Sequence, residues 1–305
     1  MDADTRELLA GSIRELLRSP GEVVSGLDEL GWAEVVSDDP AAAIELLFTE
    51  QGRAGAASGA LDRIVVDAVA PVSGPVVVVH SFGSATSTVI GERLNVDGVA
   101  LAEPEPGACY VVLVGDAVFT VPVDDSAAEV RGFDPASRLR RVRLSANAFQ
   151  DHTDNGIAAT AAARRALASE LIGNGRAMLG IAVDQVTQRR QFGRPIGANQ
   201  TPRHRLADAY VQLSAATELV QIAWASGTPW DATVAKAYAG QAVETTARAC
   251  LQVCGAMGLT AEHPLGNYVK RARTLDALHG GWHHAMRALG EGLLTARAIP
   301  QGVRV

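Results

Sequence analysis

Apolar positions recur along this 305-residue chain in two rhythms, and the changes of rhythm divide it into three parts. Residues 5–18 place Leu8, Leu9, Ile13, Leu16 and Leu17 on one stripe at helical spacing, with Pro20 as the stop. Leu27 to Trp32 reads as a short element, and Ala41 to Thr49 as a helix carrying Ile44, Leu46, Leu47 and Phe48. From about residue 62 to 149 the pattern changes to short β-branched runs. Ile64-Val65-Val66, Val76–Val79, Tyr110–Val114, Val118–Val123 and Leu139–Leu144 are predicted strands, and Asp97-Gly98 is a turn signal. Strands at this spacing predict a small barrel or sandwich. Helical rhythm then returns in four long runs, about 157–190, 200–226, 229–257 and 263–296, the last with a break. Alanines at 235, 237, 239 and 242 allow close antiparallel packing. The expectation is an α+β chain: a helical part over 1–60, a β part over 61–150 and a four-helix bundle over 151–305.

Composition narrows the partners. With 48% hydrophobic residues the chain can bury a large core. A net charge of −7 and a pI near 5.5 argue against non-specific binding to nucleic acid or anionic membranes. No eighteen-residue apolar run is present, and Asp2, Asp4 and Glu7 stand where a signal peptide would be basic, so a cytoplasmic location is expected. Cys250 and Cys254 are four apart on a predicted helix, Cys109 is distant, and only His263 lies near. That set does not complete a zinc site, so buried thiols and no metal are expected. The stretch His80 to Thr88 is rich in Ser, Thr and Gly but lacks the lysine of a phosphate loop, and it reads as a strand connection.

The richest chemistry sits at the corner between the first two long helices. Gln188-Arg189-Arg190-Gln191-Phe192-Gly193-Arg194-Pro195-Ile196 is followed by Asn199-Gln200 and by His204-Arg205-Leu206-Ala207-Asp208. Phe192-Gly193 and Pro195 interrupt the helix there. Guanidinium groups, an aromatic ring and amides side by side suit a pyrophosphate and an adenine, because arginine forks onto phosphate oxygens and stacks on rings. A solvated basic helix end is the alternative.

This corner, with its R-x-Q-F-G-[KR]-P pattern and following H-x-L-A-D segment, resembles the acyl-CoA dehydrogenase family. A second piece, Gln252-Val253-Cys254-Gly255-Ala256-Met257-Gly258-Leu259-Thr260-Ala261-Glu262-His263-Pro264, is similar to the family's Q-x-x-G-G-x-G-x-T-x-E-x-P stretch, with Ala256 replacing the second glycine. The resemblance covers the last half of the chain well and the first half loosely. Leu27-Asp28-Glu29-Leu30-Gly31-Trp32 is similar to the family's L-x-E-L-G-W turn, but the glycine-rich stretch that usually follows is absent. The family's T-E-P-x-A-G-S-D loop is also missing, since Ala102-Glu103-Pro104-Glu105 shares two letters with it. The resemblance implies a shortened N-terminal helical domain, a small middle β-barrel or sandwich and a C-terminal bundle. It also implies FAD as cofactor, held by Arg189, Gln191, Phe192, Gln252, Gly255 and Ala256.

The family's catalytic glutamate has two usual places, and neither carries one here. Lys270-Arg271-Ala272-Arg273 leads to Leu278-His279-Gly280-Gly281, so His279 occupies the usual glutamate position and Gly281 that of a flavin-contacting threonine. The other place falls near Ala163, flanked by Arg164 and Arg165. A histidine base is chemically suitable, because imidazole titrates near neutral pH. A metal set of His279, His283 and His284 is a further reading, and a non-catalytic turn is the one adopted. A retained flavin clamp without a base resembles the β-type subunit of the α₂β₂ acyl-CoA dehydrogenases of steroid-degrading bacteria. In those, an α-type partner carries the glutamate and the acyl-CoA pocket, and the reaction yields a 2,3-enoyl-CoA. A non-enzymatic scaffold and a self-sufficient flavoenzyme using His279 are the alternatives.

Overall fold

The computed structural model describes every residue except 20–22, 70–71, 73, 124–126, 131, 133, 135, 148–149, 153–154 and 298–305; Pro20 therefore lies outside the described residues. Among the described residues, five α-helices come first. α1 (Ala3–Leu16) begins at Asp2, whose side chain accepts from the Thr5 amide, and buries Ala10 and Ile13. α2 (Val23–Glu29) and α3 (Trp32–Asp38) are two turns each, and Trp32 is buried. α4 (Pro40–Ala54) has a strong start: Asp39 accepts from the Ala42 amide and proline takes the first position, where its missing N–H costs nothing. It is buried continuously from Leu46 to Gly52.

α5 (Ala60–Ala68) corrects one expectation. Ile64-Val65-Val66 is not a strand but the middle of this helix. Ala60, Leu61, Ile64 and Val65 are buried together at helical spacing. The burial of that stripe outweighs the strand preference of a three-residue β-branched run, which is worth only fractions of a kcal/mol per residue, on the order of 1 at most.

The β part is two four-stranded sheets face to face. In one, β1 (Val76–Val79) pairs in parallel with β4 (Cys109–Val114), which continues antiparallel to β5 (Ala117–Pro122) and β8 (Gln150–His152). The other runs β2 (Thr88–Ile90), β3 (Arg93–Ala100), β7 (Arg140–Asn147) and β6 (Ala128–Glu129). Val77, Val79, Tyr110, Val112 and Phe119 from the first sheet meet Leu94, Val96 and Val142 from the second. Asp97-Gly98 is not a turn: both residues pair with Arg143 and Val142 in mid-strand. The glycine is there because the chain crosses closely, and a Cβ at Gly98 would lie 2.5 Å from the His80 carbonyl oxygen.

The C-terminal half is α6 (Gly156–Gln188), α7 (Gln200–Ser226), α8 (Pro229–Cys254), α9 (Leu265–Ala277) and α10 (Trp282–Ala296). The anticipated break in the last run is the turn 278–281. Gly227, left-handed at φ 66, closes α7, and Thr228 caps α8 by accepting from the Asp231 amide. No helix among the described residues is long and apolar enough to cross a membrane.

One buried ion pair ties the layers together. Glu170 on α6 accepts from Arg271 of α9 (Nε at 3.2 Å) and from Gln51 Nε2 of α4 at 3.0 Å, while Arg271 also donates to Ser137 Oγ at 3.0 Å. Burial pushes the Glu170 carboxyl up, and Arg271 opposes that shift. Removing one partner leaves an uncompensated buried charge. Arg271→Met is therefore expected to cost about 3–5 kcal/mol of folding stability in urea titration. A loss below about 1 kcal/mol, typical of exposed pairs, would remove the pair from this role.

Candidate functional site

The corner predicted from the sequence is a small hairpin. α6 stops because Arg189 is extended (φ −73, ψ 123). β9 (Arg190–Gln191) then pairs antiparallel with β10 (Arg194–Pro195), with Phe192 (φ 51) and Gly193 (φ 80) at the tip. Two left-handed residues are what a two-residue hairpin turn requires, and glycine meets that at no steric cost while phenylalanine does not. A short 3₁₀ turn, Ile196–Ala198, leads into α7.

Three element ends converge beside the hairpin around a cleft of about 310 Å³, lined by Arg189, Gln191, Thr201, Arg205, Gln252 and Gly255 among others. Arg189 closes α6, Thr201 and Arg205 lie one turn apart at the start of α7, and Gln252 and Gly255 end α8. Two guanidinium groups face this space, and no carboxylate is among its lining residues. The Arg189 Nη1 donates to Met257 Sδ at 3.2 Å, a weak acceptor that leaves the guanidinium free to take a better one. Such a donor set fits phosphate, and the volume, at the lower end for ligand pockets, suits one half of a dinucleotide.

Of the six residues picked from the sequence, Arg189, Gln191, Gln252 and Gly255 are brought together here. Phe192 is elsewhere, 99% exposed at the hairpin tip, and Ala256 is not among the lining residues. Arg205 was missed as a site residue. The signal for it was its spacing of four from Thr201, which puts both on one face of the first turns of α7. Arg190 turns into the hairpin, donating to the Gly193 carbonyl at 3.2 Å.

The second region is the turn between α9 and α10. His279 is left-handed at φ 53 and buried, and its Nε2 lies 2.8 Å from His80 Nδ1. The other nitrogen of His80, Nε2, is 2.8 Å from Asp62 Oδ1. The His279 amide donates to the Ser81 carbonyl at 3.1 Å, and Arg164 Nε donates to the His279 carbonyl at 3.2 Å. Lys236, buried in α8, donates to the carbonyls of Asp276 (2.9 Å) and Gly280 (3.2 Å). Burial lowers the lysine to about 8, against the pull of Asp276. Burial, then His80, Arg164 and Lys236, push His279 well below the ordinary imidazole range, so it is neutral.

Neither His80 nor Asp62 was singled out from the sequence. Asp62 lay in a helix read as the edge of a strand, and His80 in a stretch read as a connection. His80, a polar residue directly after four valines, was the available signal. His283 and His284 are exposed on α10, with His283 stacked on Trp282 at 3.5 Å, while His279 is buried. No group of three His, Cys, Asp or Glu side chains is placed to hold a metal ion among the described residues. Ala163 is fully buried in α6, and Arg165 beside it packs over the Trp224 ring at 4.7 Å. Cys250 and Cys254 are buried thiols, and burial pushes Cys250 up to about 12.

Residues 157–294 match the acyl-CoA dehydrogenase C-terminal domain. That match covers the C-terminal half of the chain, and the chain as a whole has an acyl-CoA dehydrogenase-like fold. Its relatives include acyl-CoA dehydrogenase IpdE2 of Mycobacterium tuberculosis, 40% identical over 147 residues, which are 48% of this chain and 45% of that protein. The matched stretch thus spans less than half the length of that relative. Among solved structures, a variant of the Tcur3481-Tcur3483 steroid ACAD superposes with a TM-score of 0.71 at 19% identity, covering 97% of this chain and 99% of that one. The ChsE4-ChsE5 complex from Mycobacterium tuberculosis gives 0.70 at 17% identity, over 96% and 98%. At these identities the likeness to the two structures is one of fold.

The backbone at the mouth of the cleft gives a direct test. Gly255 holds φ 64 and ψ −150, a region essentially restricted to glycine, with open space where a Cβ would stand. Gly255→Ala is expected to destabilise the protein by about 1–3 kcal/mol through the backbone alone, read as a lowered Tm. An unchanged Tm would show that this segment relaxes freely.

Proposed function

We propose that this chain is a subunit of a flavin-dependent acyl-CoA dehydrogenase in which it holds part of the FAD and an α-type partner holds the acyl-CoA and the catalytic base. The observation that carries the reading is the contrast between the two regions. The cleft gathers groups suited to phosphate at the surface, whereas the turn where the family resemblance places a glutamate carries a neutral histidine bonded into the protein body. The bound flavin would supply hydride acceptance from the β-carbon of the thioester. Arg189 and Arg205 would neutralise its pyrophosphate, Gln191 and Gln252 would hydrogen-bond the same end, and Gly255 lets the backbone come close. Phe192, exposed on its hairpin, is free to meet a partner subunit.

An oxidation of the CH–CH bond next to the thioester, giving a 2,3-enoyl-CoA, is supported by the acyl-CoA dehydrogenases among the relatives. A steroid-derived acyl group is supported by the steroid ACAD, and a heteromeric assembly by the ChsE4-ChsE5 complex, among the structures of the same fold. An α₂β₂ assembly in the cytoplasm, without nucleic acid or membrane as partner, completes the proposal.

The test is FAD affinity in the co-purified complex, by recovery of flavin fluorescence. A hydrogen bond to a charged group contributes about 1.5–3 kcal/mol, so Arg189→Ala is expected to weaken FAD by roughly 10- to 150-fold. Its lost turnover should return with excess FAD. Arg190→Ala, which removes a guanidinium committed to the hairpin, is the control; equal affinity in both variants would sink the clamp and favour a scaffold. His279→Asn is expected to leave turnover at pH 7.5 within a few-fold. A general base contributes roughly 10²–10⁴-fold, so a loss of that size would make this chain a self-sufficient flavoenzyme instead.

A further inference from the structure

The contacts of His279 reach beyond its own turn. Asp62 lies on α5, His80 follows β1, and His279 stands between α9 and α10, so one line of side chains joins three parts of the molecule. Backbone bonds run beside it. The His279 amide donates to Ser81, the Gly83 amide donates to the Ala277 carbonyl at 2.9 Å, and Phe82 forms a bridge with Leu278. On its other side His80 is locked to β3, exchanging both backbone bonds with Val99 at 2.8 and 2.9 Å.

The protons along this line are fixed by one end. The Asp62 carboxylate only accepts, taking the Val78 amide on Oδ2 and His80 on Oδ1. His80 therefore carries a proton on Nε2, and as a neutral ring it presents a lone pair on Nδ1. His279 must then donate Nε2–H to that lone pair and carry its own lone pair on Nδ1. The seam is complete with one proton on each ring.

We propose that the Asp62–His80–His279 line is a pH-operated latch that, with both rings uncharged, holds α5 and the β sheets against the turn between α9 and α10, and that loosens when His279 takes up a proton. This goes beyond the flavin reading and does not depend on it. The groups facing His279 decide the direction. Arg164 approaches from α6 and Lys236 from α8, both cationic, and His80 stands across the bond. The nearby carboxylates are committed elsewhere: Asp62 lies on the far side of His80, and Asp276 accepts from the Trp282 amide and lies 3.9 Å from Lys236. A proton on His279 is thus a third buried cation without an acid beside it.

Hydrated in an opened seam, the same imidazole titrates near its ordinary value of about 6.5. Closed, it is held well below that. The opened state therefore binds more protons as pH falls. The latch has full strength above about pH 6.5 and weakens by up to about tenfold per pH unit below it, until the closed-state pKa is reached.

The experiment is amide hydrogen exchange on the full chain, in its complex where it is isolated as one, from pH 8 to 5 with intrinsic rates removed. Opening at residues 81–83 and 277–281 is expected to rise as pH falls, by up to about thirtyfold at pH 5, while α4 and the middle of α6 stay protected. His279→Asn keeps a side chain that tolerates the left-handed backbone and removes the titration, so its profile should be flat. A flat wild-type profile, or an unchanged slope in His279→Asn, overturns the latch. Should that variant not fold, imidazole ¹⁵N shifts of the wild type decide: both rings protonated on Nε2 at pH 8 support it, and a His279 that titrates near 6.5 or carries its proton on Nδ1 overturns it.

Discussion

Polar groups taken out of water between helices must find their partners inside the protein, and the placement of α6 follows from that constraint. One turn of this helix carries Glu170, matched by Arg271 and Gln51. Two turns earlier Arg164 meets the His279 carbonyl and Thr233. Gly173 and α4's Gly52 each face the other helix's backbone so closely that a Cβ would collide with a carbonyl oxygen. Close contact leaves no room for water, so the buried Glu170 depends on partners at fixed distance, and the helices cannot slide without stranding it. The same contacts fix where α9 ends, and so place the turn that carries His279.

The C-terminal half was legible because its information is local. Four long apolar periods, Gly227-Thr228-Pro229 as a stop and start, and an arginine-rich corner gave helices within a few residues of those observed. The early misreadings have a common cause. At 64–66 three β-branched residues look like a strand until the stripe of Ala60, Leu61, Ile64 and Val65 is seen against the core. At Asp97-Gly98 the glycine serves an approach to His80, which no turn rule anticipates. The cleft was legible through its motif, except for Arg205, while Phe192 was chemically suitable and pointed elsewhere. The Asp62–His80–His279 line was not legible at all, because His80 and His279 are separated by 199 positions and meet only when sheets and bundle are assembled.

The two regions differ in how their polar groups are satisfied. Around the turn, the amide, the carbonyl and one imidazole nitrogen of His279 each have an internal partner, and Lys236 donates to two carbonyls. A site complete in itself has little hydrogen-bonding capacity left for a substrate. At the cleft the reverse holds: Arg189 rests on a thioether, Gly255 holds a conformation open only to glycine, and Phe192 adopts a left-handed conformation while fully exposed. Strain that nothing inside the chain repays, next to donors with only a weak acceptor, persists where something outside completes the arrangement. The hairpin and the helix ends around it therefore carry the under-satisfied groups that the proposed flavin site calls on, whereas the groups of the buried turn are bonded into the protein body.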